Sequence, residues 1–334
     1  MEPSKSPTIH DVAKRAGVSL STVSRVMNDY AFVNPQTREK VEAAIQTLGY
    51  EKSRPESVRP AREVNTIGLI VPDIANPFFP LLIRGVETVA KIQGYSLVFC
   101  DSENELGQEQ QHLETLFERG VDGVILIPSA ATTHVEMFVN NEIPLVFLDR
   151  VLGLEEANYV ICDNDEGAYQ AVTYLLKLGH ERLLFVTGPP YLTTEQARLA
   201  GCRRALAEAG VKSADADWVM GNYRIEDAQQ VVAAALEQRL EFTAVFATND
   251  MMALGVKQAL EKHGLTIPQD VSLVGYDDIL FAGMLGLTTI SQPAYEMGRN
   301  AMFLLLDLIH ERMTAPQHII LRPSMVIRSS CQRR

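Results

Sequence analysis

Thr8-Ile-His-Asp-Val-Ala-Lys-Arg-Ala-Gly-Val-Ser-Leu-Ser-Thr-Val-Ser-Arg-Val-Met-Asn28 reads as two short helices around a tight turn. Thr8 caps the first helix and Asp11, three residues on, completes a capping box. Val12, Ala13 and Ala16 supply an apolar stripe, and Gly17 permits the left-handed backbone that stops a helix. Ser19 is a good cap for the second helix. At 3.6 residues per turn that helix divides into two faces. Val23, Val26 and Met27 fall on one side; Leu20, Ser21, Ser24, Arg25 and Asn28 fall on the other. The second face carries small hydroxyls, one amide and one Arg, with no acidic chain in the way. It suits a helix laid in the major groove of DNA, where Arg25 would offer a bidentate pair to guanine. An αα-hairpin with a merely wet outer face has the same pattern. The position before a large domain of another type, in helices too short to fold alone, favours the DNA reading.

Asn34 caps a third helix with Pro35 at its first position. Val41, Ala44, Ile45 and Leu48 recur at helical spacing, and Gly49 ends the run, which closes a three-helix head. Glu51 to Asn65 is a linker rich in Pro, Arg and Ser. It is either a flexible tether or a segment that orders on DNA and sends Arg into the minor groove.

The 334 residues carry a formal net charge of -12, which looks wrong for a DNA binder. The charge is uneven. Residues 1–66 hold ten Lys and Arg against eight Asp and Glu, and the remainder holds 20 against 34. A mildly basic head before an acidic body can bind DNA, because phosphate contacts are local. No apolar run reaches membrane-spanning length. The N-terminus lacks the apolar core of a secretion signal, so a cytoplasmic protein is expected. Cys100, Cys162, Cys202 and Cys331 are scattered singly, which points to buried thiols and to neither a metal site nor disulfides.

From Asn65 the pattern turns to strand–helix alternation. Apolar runs stand at 67–71, 96–99, 123–127 and 145–148, then at 182–187, 243–247 and 271–275. Amphipathic stretches at 81–93, 109–119, 166–178, 197–209, 227–236 and 251–262 separate them. This predicts two similar lobes built on parallel sheets covered on both faces. Ligands in such sheets bind beyond the carboxyl ends of strands. Asn76, Phe78, Phe79, Asp149, Arg150, Arg198, Tyr223, Asn249, Asp277 and Gln292 all follow strand ends or stand at a crossover. Planar hydrogen-bonding groups with aromatic rings suit a polyhydroxylated ligand held in a cleft.

The chain resembles the lac repressor family of transcription regulators over nearly its whole length. The resemblance rests on Asp11-Val12-Ala13, Ala16-Gly17-Val18-Ser19 and Thr22-Val23-Ser24-Arg25-Val26 in the head. In the body it rests on Asn76-Pro77-Phe78-Phe79, Gly179-His180, Asn249-Asp250-Met251-Met252-Ala253-Leu254-Gly255 and Gly275-Tyr276-Asp277-Asp278. It implies a small all-α helix-turn-helix headpiece plus an α/β two-lobed domain similar to ribose-type periplasmic binding proteins, with two parallel doubly wound sheets. Leu20, Ser21 and Arg25 then match base-reading positions, and Thr8, Ser19, Thr22, Ser24, Asn28, Asn34, Thr37 and Tyr50 match backbone-contacting ones. Arg54, Val58 and Arg59 are the linker's DNA-facing candidates. The ten strand-end residues stand where ribose-binding proteins hold their sugar, with crossovers near Asp163, Ser291 and Arg322. Two places depart from the pattern. Pro128-Ser129 replaces an expected Asn, and Val58-Arg59-Pro60 stands where the family carries an Ala-Arg-x-Leu hinge helix.

The expected boundaries are 1–50 for the head, 51–65 for the linker and 66–334 for the effector and dimerisation domain. One lobe takes about 66–162 and 292–321, the other about 163–291 and 322–334. The expected function is a dimeric repressor that reads a near-palindromic operator and answers to a carbohydrate effector. It needs no cofactor, metal or membrane. Asp149 and Asp277 balance Arg150 and Arg198, so a neutral sugar is favoured over a phosphorylated one, with a sugar acid as the alternative. No heptad tail follows Arg334, so a tetramer by coiled coil is not expected. The rivals are a sugar-processing enzyme, using Asp277-Asp278 or Asp163-Asn164-Asp165, and a sugar-binding protein without gene control. The chain has no GxGxxG, GxxxxGK[ST], GxSxG or HExxH.

Overall fold

A computed structural model of the chain describes residues 9–19, 22–23, 26, 34–48, 65–130, 135–152, 157–211, 216–312 and 315–334. It divides into two compact units, at Met1–Glu63 and Val64–Arg334. The sequence-predicted residues Thr8, Leu20, Ser21, Ser24, Arg25, Met27, Asn28, Gly49, Tyr50, Arg54, Val58 and Arg59, and the Asp11 side chain, lie outside the described residues.

In the first unit, α1 (Ile9–Ala16) stops at Gly17, whose φ is +67°. Ser19 then opens the next turn by accepting from Thr22 N at 3.2 Å. α2 (Pro35–Leu48) starts after Asn34, whose Oδ1 accepts from Gln36 N at 2.9 Å. Val12, Ala13, Val23, Val26, Val41 and Ala44 form one buried cluster. Val23 and Val26, three residues apart, both enter it, as the helical period requires.

The second unit begins with β1 (Thr66–Val71), α3 (Phe78–Ile92), β2 (Ser96–Asp101), α4 (Leu106–Glu118), β3 (Gly123–Leu126), α5 (Glu136–Val139), β4 (Leu145–Leu148) and β5 (Asn158–Cys162). There follow α6 (Asn164–Lys177), β6 (Leu183–Thr187), α7 (Thr193–Glu208), β7 (Asp217–Met220), α8 (Ile225–Glu237), β8 (Ala244–Ala247), α9 (Asp250–Lys262), β9 (Ser272–Asp277), α10 (Leu280–Met284) and β10 (Thr288–Ser291). The last elements are α11 (Ala294–Ile309), β11 (His318–Leu321) and β12 (Ser324–Val326).

One sheet has the order β11-β5-β4-β3-β1-β2 and the other β12-β10-β9-β8-β6-β7. The first is parallel throughout. The second departs from the expected all-parallel form, because β12 runs antiparallel to β10. The reason is that only two residues separate β11 from β12, so no helix carries the chain back to the other end of the sheet, as a parallel strand requires. Central strands such as β3, β6 and β8 are fully buried, as their continuous apolar runs require. The chain passes between the sheets three times: after Cys162, after Ser291 and after Leu321.

Several helices begin earlier than their periodicity predicts. α3 starts at Phe78 despite Pro80, because the first turn of a helix needs no internal N–H donors. Asn76 Oδ1 takes Phe78 N at 3.1 Å. Two of the four thiols, Cys100 and Cys331, are half-buried where burial was expected; Cys162 and Cys202 are buried.

α3 and α11 meet at backbone contact. A Cβ on Gly298 would lie 2.1 Å from the Leu82 carbonyl oxygen, and one on Gly85 would lie 2.1 Å from that of Tyr295. Gly298→Ala must therefore push the helices apart and is expected to cost about 1–3 kcal/mol. Urea unfolding would show this as a lower midpoint at unchanged slope; an unchanged midpoint would remove the close crossing.

Candidate ligand-binding site

The strand order reverses between β1 and β3 in one sheet and between β6 and β8 in the other. Each reversal opens a crevice at the strands' carboxyl ends. Asn76, Phe78 and Phe79 follow β1, and Asp149 and Arg150 follow β4. Thr194 and Arg198 lie on α7 beyond β6, Tyr223 follows β7, Asn249 follows β8 and Asp277 ends β9. These ten residues line one cleft of about 260 Å³, counting its mouth open to solvent. Nine of them are sequence-predicted. The tenth predicted residue, Gln292, reaches the site through Asp277, donating to its Oδ1 at 2.8 Å.

The local backbone is what aims these side chains. Asp149, Tyr223 and Asp277 have φ of +64°, +61° and +112°. Non-glycine residues hold such angles only where surrounding contacts over-determine them, and such residues cluster at functional sites. For Asp277 the support is Asp250. Its Oδ2 accepts from Ile279 N at 3.0 Å and its Oδ1 from Thr289 Oγ1 at 2.7 Å. Gly275 makes room for it: a Cβ there would lie 2.1 Å from Asp250 Oδ1. Asn249 in turn caps α9, with its Oδ1 accepting from Met252 N.

Two ion pairs occupy the centre. Arg198 Nη2 lies 3.6 Å from Asp277 Oδ1, and Arg150 Nε lies 3.8 Å from Asp149 Oδ2. Arg150 also donates to the Pro128 carbonyl at 2.9 Å and stands 5.8 Å over the Phe79 ring. Burial pushes the Asp149 carboxyl up, and the two arginines only partly restore it. Burial likewise raises Asp277, to about 7, against the pull of Arg198 and Gln292. Five buried side-chain atoms lack a hydrogen-bond partner among the described residues: Asp149 Oδ1, Arg150 Nε, Glu195 Oε1, Tyr276 Oη and Gln292 Oε1. All belong to cleft residues or to side chains packed directly beneath them.

Sequence reasoning missed Thr194 and the layer under the cleft. Glu195 is fully buried and accepts from Tyr223 Oη at 2.7 Å and Thr248 Oγ1 at 2.8 Å. Burial raises its pKa above the usual carboxylate value, against the pull of Arg198 and of the Tyr223 and Thr248 hydrogen bonds. Its spacing of three from Arg198 was the available signal, since residues i and i+3 share a helix face. The Pro128-Ser129 departure is explained by a neighbour. Ser129 N and Oγ both donate to Glu109 Oε2, at 2.6 and 2.7 Å, so this side chain is committed to α4, while the Pro128 carbonyl accepts from Arg150.

In the head, Ser19 and Asn34 are exposed and act as caps, while Thr22 and Thr37 are partly exposed. Among the described residues no cluster of His, Cys, Asp and Glu could hold a metal, and no helix is long and apolar enough to cross a membrane.

Residues 8–53 match the description "Bacterial regulatory proteins, lacI family", and residues 172–331 match a periplasmic binding protein-like domain. The HTH-type transcriptional repressor PurR of Vibrio campbellii is 36% identical over 335 residues, covering 98% of this chain and 99% of that one. The chain belongs to the lacI family. Among solved lacI-family structures, a regulator from Enterococcus faecium with bound ribose aligns with a TM-score of 0.74 at 32% identity, over 80% of this chain and 98% of that one. The lac repressor dimer bound to operator and the anti-inducer ONPF aligns at 0.72 and 28% identity, over 98% of this chain and 100% of that one. This lacI-family chain is a DNA-binding transcriptional regulator with a ligand-binding domain. The enzyme rival falls, because the relatives are repressors.

Proposed function

We propose that this regulator represses its target genes in the cytoplasm as a homodimer, and that an uncharged sugar in the cleft sets its operator affinity. The domain limits are those expected from sequence: head 1–50, linker 51–65, body 66–334. The observation that carries the sugar reading is the set of unpartnered atoms in the cleft. Asp149 Oδ1 and Gln292 Oε1 want donors, and Arg150 Nε wants an acceptor. Sugar hydroxyls supply both, whereas a phosphate or carboxylate would add acceptors to a site already rich in them. Phe78 and Phe79, edge-on at 5.5 Å, offer apolar surface to the C–H faces of a ring. The ribose-bound neighbour supports the same class.

Homodimer formation is supported by the lac repressor dimer and by α10. Leu280, Phe281, Met284 and Leu285 share one side of that helix and its C-cap and are all exposed. Leu20, Ser21 and Arg25 are assigned to base edges. Thr8, Ser19, Thr22, Ser24, Asn28, Asn34, Thr37, Tyr50, Arg54, Val58 and Arg59 are assigned to the backbone and grooves.

The test is a thermal-shift panel of pentoses, hexoses, sugar acids and sugar phosphates, followed by operator titration with the best binder. A neutral sugar is expected to raise the midpoint and change operator affinity. Stabilisation by sugar phosphates alone, or by no member of the panel, would overturn the reading.

The raised Asp277 carboxyl makes the site pH-dependent. Ligand hydroxyls donate to the ionised form, so sugar affinity is expected to fall as pH drops through about 7. The limit is about tenfold per pH unit for one essential ionisation. The folding contribution runs the other way. Folded Asp277 holds a proton between 3.8 and about 7 that the unfolded chain has lost. Its contribution to the stability of the sugar-free protein is therefore greatest near pH 4 and is lost as pH rises through 7. Calorimetry at pH 8 and pH 6 separates the two; equal sugar affinity at both would place the ionisation outside the binding step.

A further inference from the structure

Arg198 is gripped from four sides. Its Nε donates to Asn164 Oδ1 at 2.8 Å and its Nη1 to the Thr248 carbonyl at 2.5 Å. Its Nη2 faces Asp277, and the guanidinium carbon stands 3.9 Å over the Tyr276 ring. Three of these neighbours belong to strand β9 or the loop after β8, deep in one lobe. Asn164 differs. It opens α6 directly after the first crossover, and its Nδ2 reaches back to the Cys162 carbonyl at 3.1 Å, the last residue of β5 in the other sheet. The residue between them, Asp163, donates its N–H to the Leu321 carbonyl at 2.9 Å, where β11 ends and another crossover begins.

Asn164 is buried, and neither of its bonds serves as a helix cap. That task belongs to Asp163, whose Oδ1 accepts from Glu166 N. An Asn at this position needs no side-chain partner to start the helix, yet it spends its amide on the cleft arginine at one end and the last carbonyl of the neighbouring sheet at the other. Two of the three strands that join the lobes meet within one residue of it.

We propose that Asn164 is a positioning residue that couples the cleft to the hinge. Arg198 cannot move toward a ligand without displacing this amide, and the amide cannot move without pulling on the Cys162 carbonyl. The bending of the lobes and the grip on the ligand then become one event. The inference rests on the effector reading of the cleft, and the tests separate the two.

The first test needs no ligand. Full-length protein carrying Asn164→Ala, Arg198→Ala or both is alkylated with iodoacetamide, and each cysteine is followed by mass spectrometry. Cys162 is buried at the end of β5, so its rate reports opening of the crossover; Cys202, on the buried face of α7, reports wider unfolding. Each single variant is expected to speed Cys162 about three- to tenfold at constant Cys202, with the double variant no faster than the faster single. Multiplying effects, or Cys202 accelerating in step, would overturn the proposal.

The second test uses Asn164→Asp, which keeps an acceptor for Arg198 and removes the donor to Cys162. The titrant is D-ribose, or the panel sugar that stabilises the wild type most. Sugar affinity is expected to stay within about threefold, while the sugar's effect on operator affinity shrinks by about fivefold or more. Both falling together, or neither changing, would overturn the coupling role. Should Arg198→Ala leave sugar affinity intact, the effector site has been misplaced, while the ligand-free cycle still decides whether Asn164 and Arg198 act as a pair.

Discussion

Arg198→Ala is expected to abolish the sugar response while the head still binds operator. Removing the guanidinium does more than delete one ligand contact. It leaves the Asp277 carboxylate without its ion-pair partner and strips the Asn164 side chain and the Thr248 carbonyl of a donor. Truncating one partner of a buried, hydrogen-bonded charge pair costs about 2–5 kcal/mol, or a loss of about 30-fold to several thousand-fold in sugar affinity. Calorimetry measures the affinity, and operator titration with and without sugar measures the response. A variant that still answered at the wild-type sugar concentration would show that the cleft is not the effector site.

Arg25→Ala carries the second large effect, at the opposite function. By the sequence pattern Arg25 falls on the outer face of the second helix, where it is the one side chain suited to two parallel bonds with a guanine edge. Its loss is expected to weaken operator binding by about 1–3 kcal/mol and to relax base preference at one operator position. A backbone-contacting residue would behave differently, weakening all sequences about equally and flattening the salt dependence. Competition between the operator and a set of single-base variants tells the two apart. Unchanged specific affinity would remove Arg25 from the base-reading set.

What could be read from the chain follows from which signals are local. The strands at 67–71, 123–127 and 243–247 were legible because central parallel strands must be apolar on both faces. β5, β7, β10, β11 and β12 were not. They are three to five residues long, and four of them are partly exposed at most positions, which erases the apolar run. α11 was missed although its pattern is that of a helix with one buried face: eight of its sixteen residues are buried. In the site, strand-end position located nine cleft residues, because a doubly wound sheet fixes where its loops converge. Glu195, Asn164 and Asp250 sit one layer deeper. Their roles depend on distances to Tyr223, Arg198 and the loop before Ile279, from 28 to 34 residues away along the chain, and no spacing rule reports those. The left-handed backbone at Asp149, Tyr223 and Asp277 was equally silent, since Asp and Tyr carry no obligation to adopt it.

The crossing of α3 and α11, where Gly298 touches the Leu82 carbonyl, leaves that lobe no slack. A jaw closed at bare backbone cannot absorb a ligand by yielding inside; it transmits the push whole. The travel is thereby forced into the three short strands between the jaws. Substitutions that tune the gain of the response should therefore gather there and around the cleft, while those at the α3–α11 crossing change how long the protein lasts.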